Sequence, residues 1–188
     1  MTYLLSALSL LIQVAFGAIA TLFLFRLLAE ANRADFHNPL SQFIYRYTNP
    51  VLAPMRRVLP NWRRINLAAL LVVWLTVLLE RVLLYALLGV MPSLPALLVL
   101  SVADLLSFVV WVYIVLIFGW SLLSMLAVDP HQPLVRLASA IVSPVLRPLR
   151  GKLTVGNIDF SPTVVIILLL LALRLVVQPL LDFGSSLA

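Results

Sequence analysis

Residues 50–56 read PVLAPMR, and residues 144–150 read PVLRPLR. The two segments share Pro, Val, Leu, Pro and Arg at the same spacing, and each lies between two long apolar runs. In so apolar a chain, a leucine that matches between the two segments carries little information. Prolines and arginines that match at the same spacing are hard to obtain by chance. The pair therefore indicates that one structural unit occurs twice in the sequence.

The match extends well beyond these two segments. When the chain is shifted by 94 residues, coincident residues run from His37 and His131 to Arg56 and Arg150. With one gap, 65–66 then aligns with 158–159, and Arg81 aligns with Arg174. We predict a structural role in the repeated motif for nine residues. They are Asn38, Pro39, Pro50, Pro54, Pro133, Pro144, Pro148, Asp159 and Pro162.

The composition predicts an integral membrane protein. The 188 residues are 63% hydrophobic and 11% charged, with a mean hydropathy of +1.12. A soluble domain is about half apolar and about one quarter charged. Because a small domain leaves much of its surface exposed, this chain cannot bury so much apolar surface in one aqueous core.

Four segments have the roughly 20 mainly apolar residues that a membrane-spanning helix needs. The N-terminal run has no basic residue before it and is too long for the apolar part of a signal peptide, so it is read as a retained span. Ser161 is the predicted N-cap of the last span and Pro162 its first helical residue. The predicted spans are 3–28, 66–88, 94–126 and 161–181.

The basic residues predict the orientation of these spans. Most of them lie in the two stretches 29–65 and 127–160, whereas the tails and the 89–95 turn contain no Lys or Arg. By the positive-inside rule both basic stretches are expected in the cytoplasm, with both termini outside. The same rule accounts for the basic clusters without nucleic acid, which is not a predicted partner.

Each basic stretch contains a predicted amphipathic helix lying in the membrane interface, at 39–49 and 133–143. Leu40, Phe43, Ile44 and Tyr47 follow the apolar period of a helix. Asn38 is its predicted N-cap, and Pro50 and Pro144 are expected to end the two helices, leaving the P-V-L-x-P-x-R segments extended.

The predicted fold is thus an all-α integral membrane protein with four transmembrane helices, built as two parallel repeats. The repeat units are 1–88 and 94–182, each a transmembrane helix, an interfacial helix and a second transmembrane helix. Because each unit crosses the membrane twice, the two copies point the same way and are related by an axis along the membrane normal.

Five basic residues near the repeated motif are predicted to contact anionic lipid headgroups. An alternative is that they dock a membrane or cytoplasmic protein partner. These residues are Arg56, Arg57, Arg147, Arg150 and Lys152.

A second group of polar residues falls inside the predicted spans, where charge is costly and commonly functional. One interpretation is a neutral cluster that holds the helices in register; the other is a polar chamber that passes an ion or small solute. The group comprises Gln13, Glu80, Arg81, Asp104 and Arg174, and its charges sum to zero.

The sequence offers no constellation typical of an enzyme. There is no cysteine, and no nucleophile, metalloprotease or phosphate-loop motif. His37 and His131 lack companion ligands at metal spacing, which favours turn or capping roles over a metal site. We therefore predict no catalytic residues, no metal and no cofactor.

The motif as a whole resembles that of the YggT family of bacterial membrane proteins, called YlmG in some bacteria and in plastids. The resemblance rests on the pattern from Asn38 to Pro60, N-P-L-x-x-F…T-x-P-x-L-x-P-x-R-R-x-x-P, and on G-x-I-D-F-S-P from Gly156 to Pro162. The second copy departs from it, with His131-Gln132-Pro133 for Asn-Pro and Arg150-Gly151 for Arg-Arg.

The resemblance implies a location in the bacterial inner membrane and brings no catalytic residues. It associates the chain with envelope organisation, assembly of membrane complexes and osmotic tolerance. Two functions are therefore predicted: a non-enzymatic scaffold or assembly factor acting through its basic cytoplasmic face, or a small transporter or channel using the polar residues of the spans. A homo-oligomer would suit the second.

Overall fold

The computed structural model describes residues 2–126, 128–155 and 158–187, so Gly156 of the second motif lies outside the described residues. Apart from a two-residue hairpin, in which Thr154 pairs with Asp159, its regular structure is helical. The elements are α1 (Thr2–Ala31), α2 (Pro39–Met55), α3 (Leu67–Leu87), α4 (Leu94–Met125), α5 (Pro133–Leu146), β1 (Thr154–Val155), β2 (Ile158–Asp159), α6 (Ser161–Ala172), a π-helical turn (Leu173–Val177) and α7 (Gln178–Ser186).

Four helical segments are long and apolar enough to cross a membrane, which confirms that part of the predicted fold. They are Tyr3–Ala31, Leu67–Leu87, Leu94–Met125 and the combined segment Ser161–Ser186. Each has a mean hydropathy above 2, and no more than 28% of its most apolar window is buried inside the protein. Such apolar and exposed surfaces are compatible with a multi-pass membrane protein, in which lipid covers the helices.

The last of these segments differs from the prediction in two ways. It is interrupted by the π-helical turn, and it continues to Ser186 instead of ending at Leu181. Pro179 lies just beyond the turn and has no backbone N–H to donate to the preceding turn of helix. A π-helical widening is one of the ways in which a helix accommodates such a residue without ending.

The prediction that Pro50 and Pro144 end the interfacial helices was wrong. Helix α2 continues through Pro50 and Pro54 to Met55, and α5 continues through Pro144 to Leu146. Pro50 and Pro54 are four residues apart, so they share one side of α2, and both are exposed there. On an exposed side, the carbonyls that lose their helical donors can bond to water, so the helix need not stop.

Packing joins the helices most closely at one end of the molecule. Helix α1 packs along α3, and α4 packs on α3 and on the α6–α7 segment. Helices α2 and α5 lie against each other; α2 also contacts α1, and α5 contacts both α1 and α4. We call the end at which α1 and α4 finish and α3 and α6 begin the basic end. Most of the buried apolar residues lie there, including Leu24, Leu52, Val73 and Ile141.

Two contacts tie α4 to its neighbours inside the apolar segments. The Trp74 indole N–H donates to the hydroxyl of buried Ser101 at 3.1 Å, joining α3 to α4. On the other side, Gly184 of α7 lies so close to α4 that a Cβ there would come within 2.8 Å of Leu100 Cγ. Gly17 of α1, by contrast, has open space at its Cβ position.

We therefore expect Gly184→Ala and Gly17→Ala to have opposite effects on stability. Overpacking against buried Leu100 should lower the free energy of unfolding of Gly184→Ala by about 1–2 kcal/mol. Gly17→Ala should be neutral or stabilising by up to about 1 kcal/mol, because alanine is the better helix former. Thermal unfolding of the two purified variants in detergent checks this, and equal destabilisation would contradict the α4–α7 contact.

Candidate functional site

A buried arginine lies near the end of α1. The Arg26 side chain is only 1% exposed, and it forms an ion pair of 2.8 Å with Glu30, one helical turn further on. Glu30 also pairs with Arg56, at the end of α2, and accepts a 2.7 Å hydrogen bond from the Asn66 amide. We call Arg26, Glu30, Arg56 and Asn66 the Glu30 network; it links three helices through one carboxylate.

Tyr45 of α2 covers the remaining face of Arg26. The guanidinium carbon lies 3.2 Å from the centre of the Tyr45 ring, a cation–π contact. This contact matters because Nε and Nη1 of Arg26 are buried without a hydrogen-bond partner among the described residues. Burial raises the pKa of Tyr45 to about 12, so its phenol is neutral at physiological pH.

Asn66 has a second role at the start of α3. Its Oδ1 accepts from the backbone N–H of Ala69 at 3.1 Å, which caps the helix, while its Nδ2 holds Glu30. One fully buried side chain thus fixes where α3 begins and where it meets α1.

Arg56 does not face outward as predicted for a headgroup contact. Its guanidinium turns inward to Glu30, and its Nε is buried. The reason is that α2 remains helical past Pro50, which carries Arg56 back over the end of α1. The other four predicted contact residues, Arg57, Arg147, Arg150 and Lys152, are exposed.

Direct contacts join the loop that precedes α2 to the first turn of α5. The Asn38 amide donates to the carbonyl of Pro133 at 2.7 Å, while Asn38 Oδ1 caps α2 by accepting from Leu40 N–H. Arg136 forms an ion pair of 2.5 Å with Asp35. These contacts hold α5 against the segment that leads into α2.

His37 and His131 occupy the same kind of turn. The backbone N–H of each histidine donates at 2.8 Å to the carboxylate two residues earlier, Asp35 or Asp129. These backbone bonds are the main cause that lowers the pKa of both aspartates. No group of three or more metal-ligating side chains occurs in the described part of the chain.

The start of α6 differs from the prediction. Ser161 is the first helical residue instead of the N-cap, and the carboxylate of Asp159 accepts from its backbone N–H at 2.9 Å. The Ser161 hydroxyl donates to the carbonyl of Leu149 at 3.0 Å and is fully buried, with Pro162 beside it. Hydrogen bonds from Ser161 lower the pKa of Asp159.

The polar residues of the spans form a second candidate site, away from the basic end. The Arg81 guanidinium makes two bonds to the Asp104 carboxylate, one of them 2.6 Å long. The pair lines a cavity of about 690 Å³ together with Gln13 and Glu80, and with Tyr85, Ser107, Trp111 and apolar side chains.

Arg174 does not join this cavity. It lies in the π-helical turn, is exposed, and forms no ion pair with any residue that the structure describes. The neutral four-charge cluster expected from the sequence is therefore reduced to Glu80, Arg81 and Asp104. Since Arg81 is engaged by Asp104, Glu80 has no ion-pair partner among the described residues.

Sequence inspection missed Arg26 and Glu30, although both lie at the end of the first apolar run. Their i, i+4 spacing is a recognisable sign of a helical ion pair. Their connection to Arg56 and Asn66 depends on tertiary packing and has no local signal.

The geometry defines a class of helical protein with four helices long and apolar enough to cross a membrane. Its charged groups lie mainly at the basic end and around the cavity that Arg81 and Asp104 line. A sequence model of the CCB3/YggT family matches residues 2–87 and 99–180. The chain belongs to this family, which confirms the resemblance seen in its motifs.

Several relatives from other bacteria agree. The chain is 32% identical to the uncharacterised protein YggT of Escherichia coli K12, over 78% of this chain and 76% of the relative. It is 34% identical to an uncharacterised protein of Pseudomonas aeruginosa, over 81% and 77% respectively. An uncharacterised protein of Haemophilus influenzae is 32% identical over 73% and 74%. No solved structure matches the chain.

We expect Arg56 and Arg57 to respond differently to substitution by alanine. Arg56→Ala removes a partly buried partner of Glu30 and should lower the free energy of unfolding by about 1–2 kcal/mol, between the values for exposed and buried pairs. Arg57→Ala makes the same charge change on an exposed neighbour and should alter it by less than about 0.5 kcal/mol. Thermal unfolding in detergent measures both; a neutral Arg56→Ala would contradict the inward placement of Arg56.

Proposed function

We propose that the protein is a non-enzymatic scaffold or assembly factor of the bacterial inner membrane, acting through the basic end. One observation carries the proposal: the carboxylates at this end are already engaged within the protein. Glu30 is held by its network, Asp35 by Arg136 and His37, and Asp129 by His131. The exposed basic residues Arg57 and Lys152 form no ion pair with any described residue and are free to meet acidic groups from outside.

In the proposed topology the basic end lies in the cytoplasm and both termini lie outside. The positive-inside bias supports this arrangement, since Lys and Arg are absent from both tails and from the turn between α3 and α4. The amphipathic helices α2 and α5 would then lie in the cytoplasmic interface, beside anionic headgroups.

We further propose that residues 1–88 and 94–182 are two parallel repeat units. The matching turns at His37 and His131 support this, as do the two ranges of the family match. Each unit would also enter its second span through a tight hairpin: Trp62 pairs with Ile65 before α3, and Val155 with Ile158 before α6.

The scaffold proposal predicts a partner that depends on the exposed basic residues. Cross-linking and affinity purification from native membranes should recover a stable partner with the wild-type chain, and several-fold less of it with Arg57→Ala/Lys152→Ala. These two residues lie outside the Glu30 network, so the variant should remain folded, and its unfolding temperature serves as the control.

Recovery of no partner with the wild type, or equal recovery with both chains, would reject the scaffold proposal. A matched control variant, Arg81→Leu, alters the cavity of the spans and should leave partner recovery unchanged if the chain remains folded.

A transporter or channel linked to osmotic tolerance is the second candidate, favoured by the 690 Å³ cavity. Glu80, lacking an ion-pair partner among the described residues, would meet a cation or a proton there. The scaffold ranks first because more hydrogen bonds and ion pairs position the residues of the basic end than position those of the cavity.

The transporter candidate predicts ion or solute flux in liposomes that Glu80→Gln reduces at least about tenfold, as expected when an essential charge of a pathway is lost. Leu79→Gln, at an exposed neighbouring position, is the control for a polar side chain in the same helix. Absence of flux from correctly folded wild-type protein, at several ion compositions, would remove this candidate.

A further inference from the structure

A second cavity lies at the basic end, between the two halves of the molecule. It has a volume of about 500 Å³ and lies among the end of α1, the segment before α3, and the end of α5. Four of its lining residues are arginines: Arg33, Arg64, Arg147 and Arg150. The others are Ala31, Asn32, Ser143 and Pro144, so no carboxylate lines this cavity among the described residues.

The four arginines form no ion pair with any described residue. The nearby acids Glu30 and Asp35 pair with other basic side chains, and Asp159, which Arg150 attracts only at longer range, is hydrogen-bonded to Ser161. Four like charges around one cavity repel one another, and together they produce a strongly positive potential inside it. A bound anion with more than one acceptor oxygen would relieve this repulsion.

Guanidinium groups suit one kind of anion particularly well. Each presents a planar fork of N–H donors that matches the oxygens of a phosphate group in a bidentate fashion. Four arginines lining a cavity of about 500 Å³ can offer more than one such fork to a single phosphate group.

The position of the cavity indicates the source of the phosphate. Ala31 is the last residue of a helix long enough to span a membrane, and Arg64 lies just before another. The cavity is therefore at the level of the helix ends, where lipid headgroups lie in a bilayer. We propose that it is a binding site for the phosphate of an anionic phospholipid headgroup, held between the two halves. The proposal rests on the proposed membrane placement of the basic end.

The backbone of Arg33 is a second, independent observation in favour of the site. Its backbone is in the left-handed region, with φ of 51°, in the turn that ends α1. The turn is closed by Ala34 N–H donating to Ala29 C=O at 2.8 Å and Arg33 N–H to Glu30 C=O at 3.2 Å, a motif in which glycine is the usual residue. The fold alone would therefore favour glycine, yet the position carries an arginine that lines the cavity.

The chain also offers a matched control for Arg33. Arg63 has the same left-handed backbone, with φ of 54°, and is exposed. It carries the same charge but does not line the cavity. Arg33→Gly and Arg63→Gly thus make the same charge change and relieve the same backbone strain. They differ in the cavity and in the contact of Arg63 with the Trp62 ring, whose centre lies 5.8 Å from the guanidinium carbon.

The test is a binding titration of the purified full-length chain in a neutral detergent. Short-chain phosphatidylglycerol is the probe, phosphatidylcholine the zwitterionic lipid control, and inorganic phosphate the lipid-free anion. We expect saturable binding of phosphatidylglycerol, weakened about fivefold by Arg33→Gly and less than about twofold by Arg63→Gly, from the typical contribution of one basic residue near a headgroup. Both variants should unfold at or above the wild-type temperature.

Arg147→Gln provides a second variant, at a position without backbone strain, and should also weaken binding about fivefold. Equal losses in Arg33→Gly and Arg63→Gly would show general attraction to a basic surface and overturn the site. Tighter binding of inorganic phosphate than of phosphatidylglycerol would overturn the lipid source. Failure to find a partner in the purification experiment leaves this result untouched, because Arg57 and Lys152 do not line the cavity.

Discussion

The ion pair between Arg26 and Glu30 is the interaction on which the basic end depends. Burying a charged side chain is costly unless an opposite charge pairs with it. Glu30 pairs Arg26 from one turn away in the same helix, and the same carboxylate then engages Arg56 and Asn66. The carboxylate that pairs with the buried charge of α1 therefore also joins α1 to the end of α2 and the start of α3. This makes the network a determinant of how the helices meet, more than a source of net stability.

The two halves use this region differently. At the positions that correspond to Arg26, Glu30 and Tyr45 by the 94-residue shift, the second half has Trp120, Ser124 and Ser139. Arg150, the counterpart of Arg56, forms no ion pair with a described residue and lies 5.7 Å from the Trp120 ring centre. In the first half Arg56 is paired with Glu30, whereas in the second half Arg150 lines the cavity between the halves. This asymmetry is what the lipid-site proposal requires, since the motif would serve packing in one copy and lipid binding in the other.

Much of the architecture could be predicted because lipid imposes a simple rule. A span must be about 20 residues long and apolar, and that signal is local, so the four long helices were found from sequence. The prolines of α2 misled the prediction because their effect depends on whether the freed carbonyls are exposed, which a local pattern does not reveal. Arg174 was grouped with the polar cluster because it falls inside a predicted span. A position within a span can be read from sequence, whereas the direction of a side chain in a π-helical turn cannot. Arg26 was overlooked within an apolar run, and the network around it depends on residues 4 to 40 positions away.

A double-mutant cycle on Arg26 and Glu30 tests the central claim most directly. The free energy of unfolding would be measured for the wild type, Arg26→Met, Glu30→Gln and the double variant under identical detergent conditions. If the buried arginine requires the carboxylate, each single variant is strongly destabilised, and the double variant is more stable than the sum of the two changes predicts, by at least about 1 kcal/mol. Additive effects, with a coupling energy near zero, would show that Arg26 is accommodated independently of Glu30 and would contradict this account.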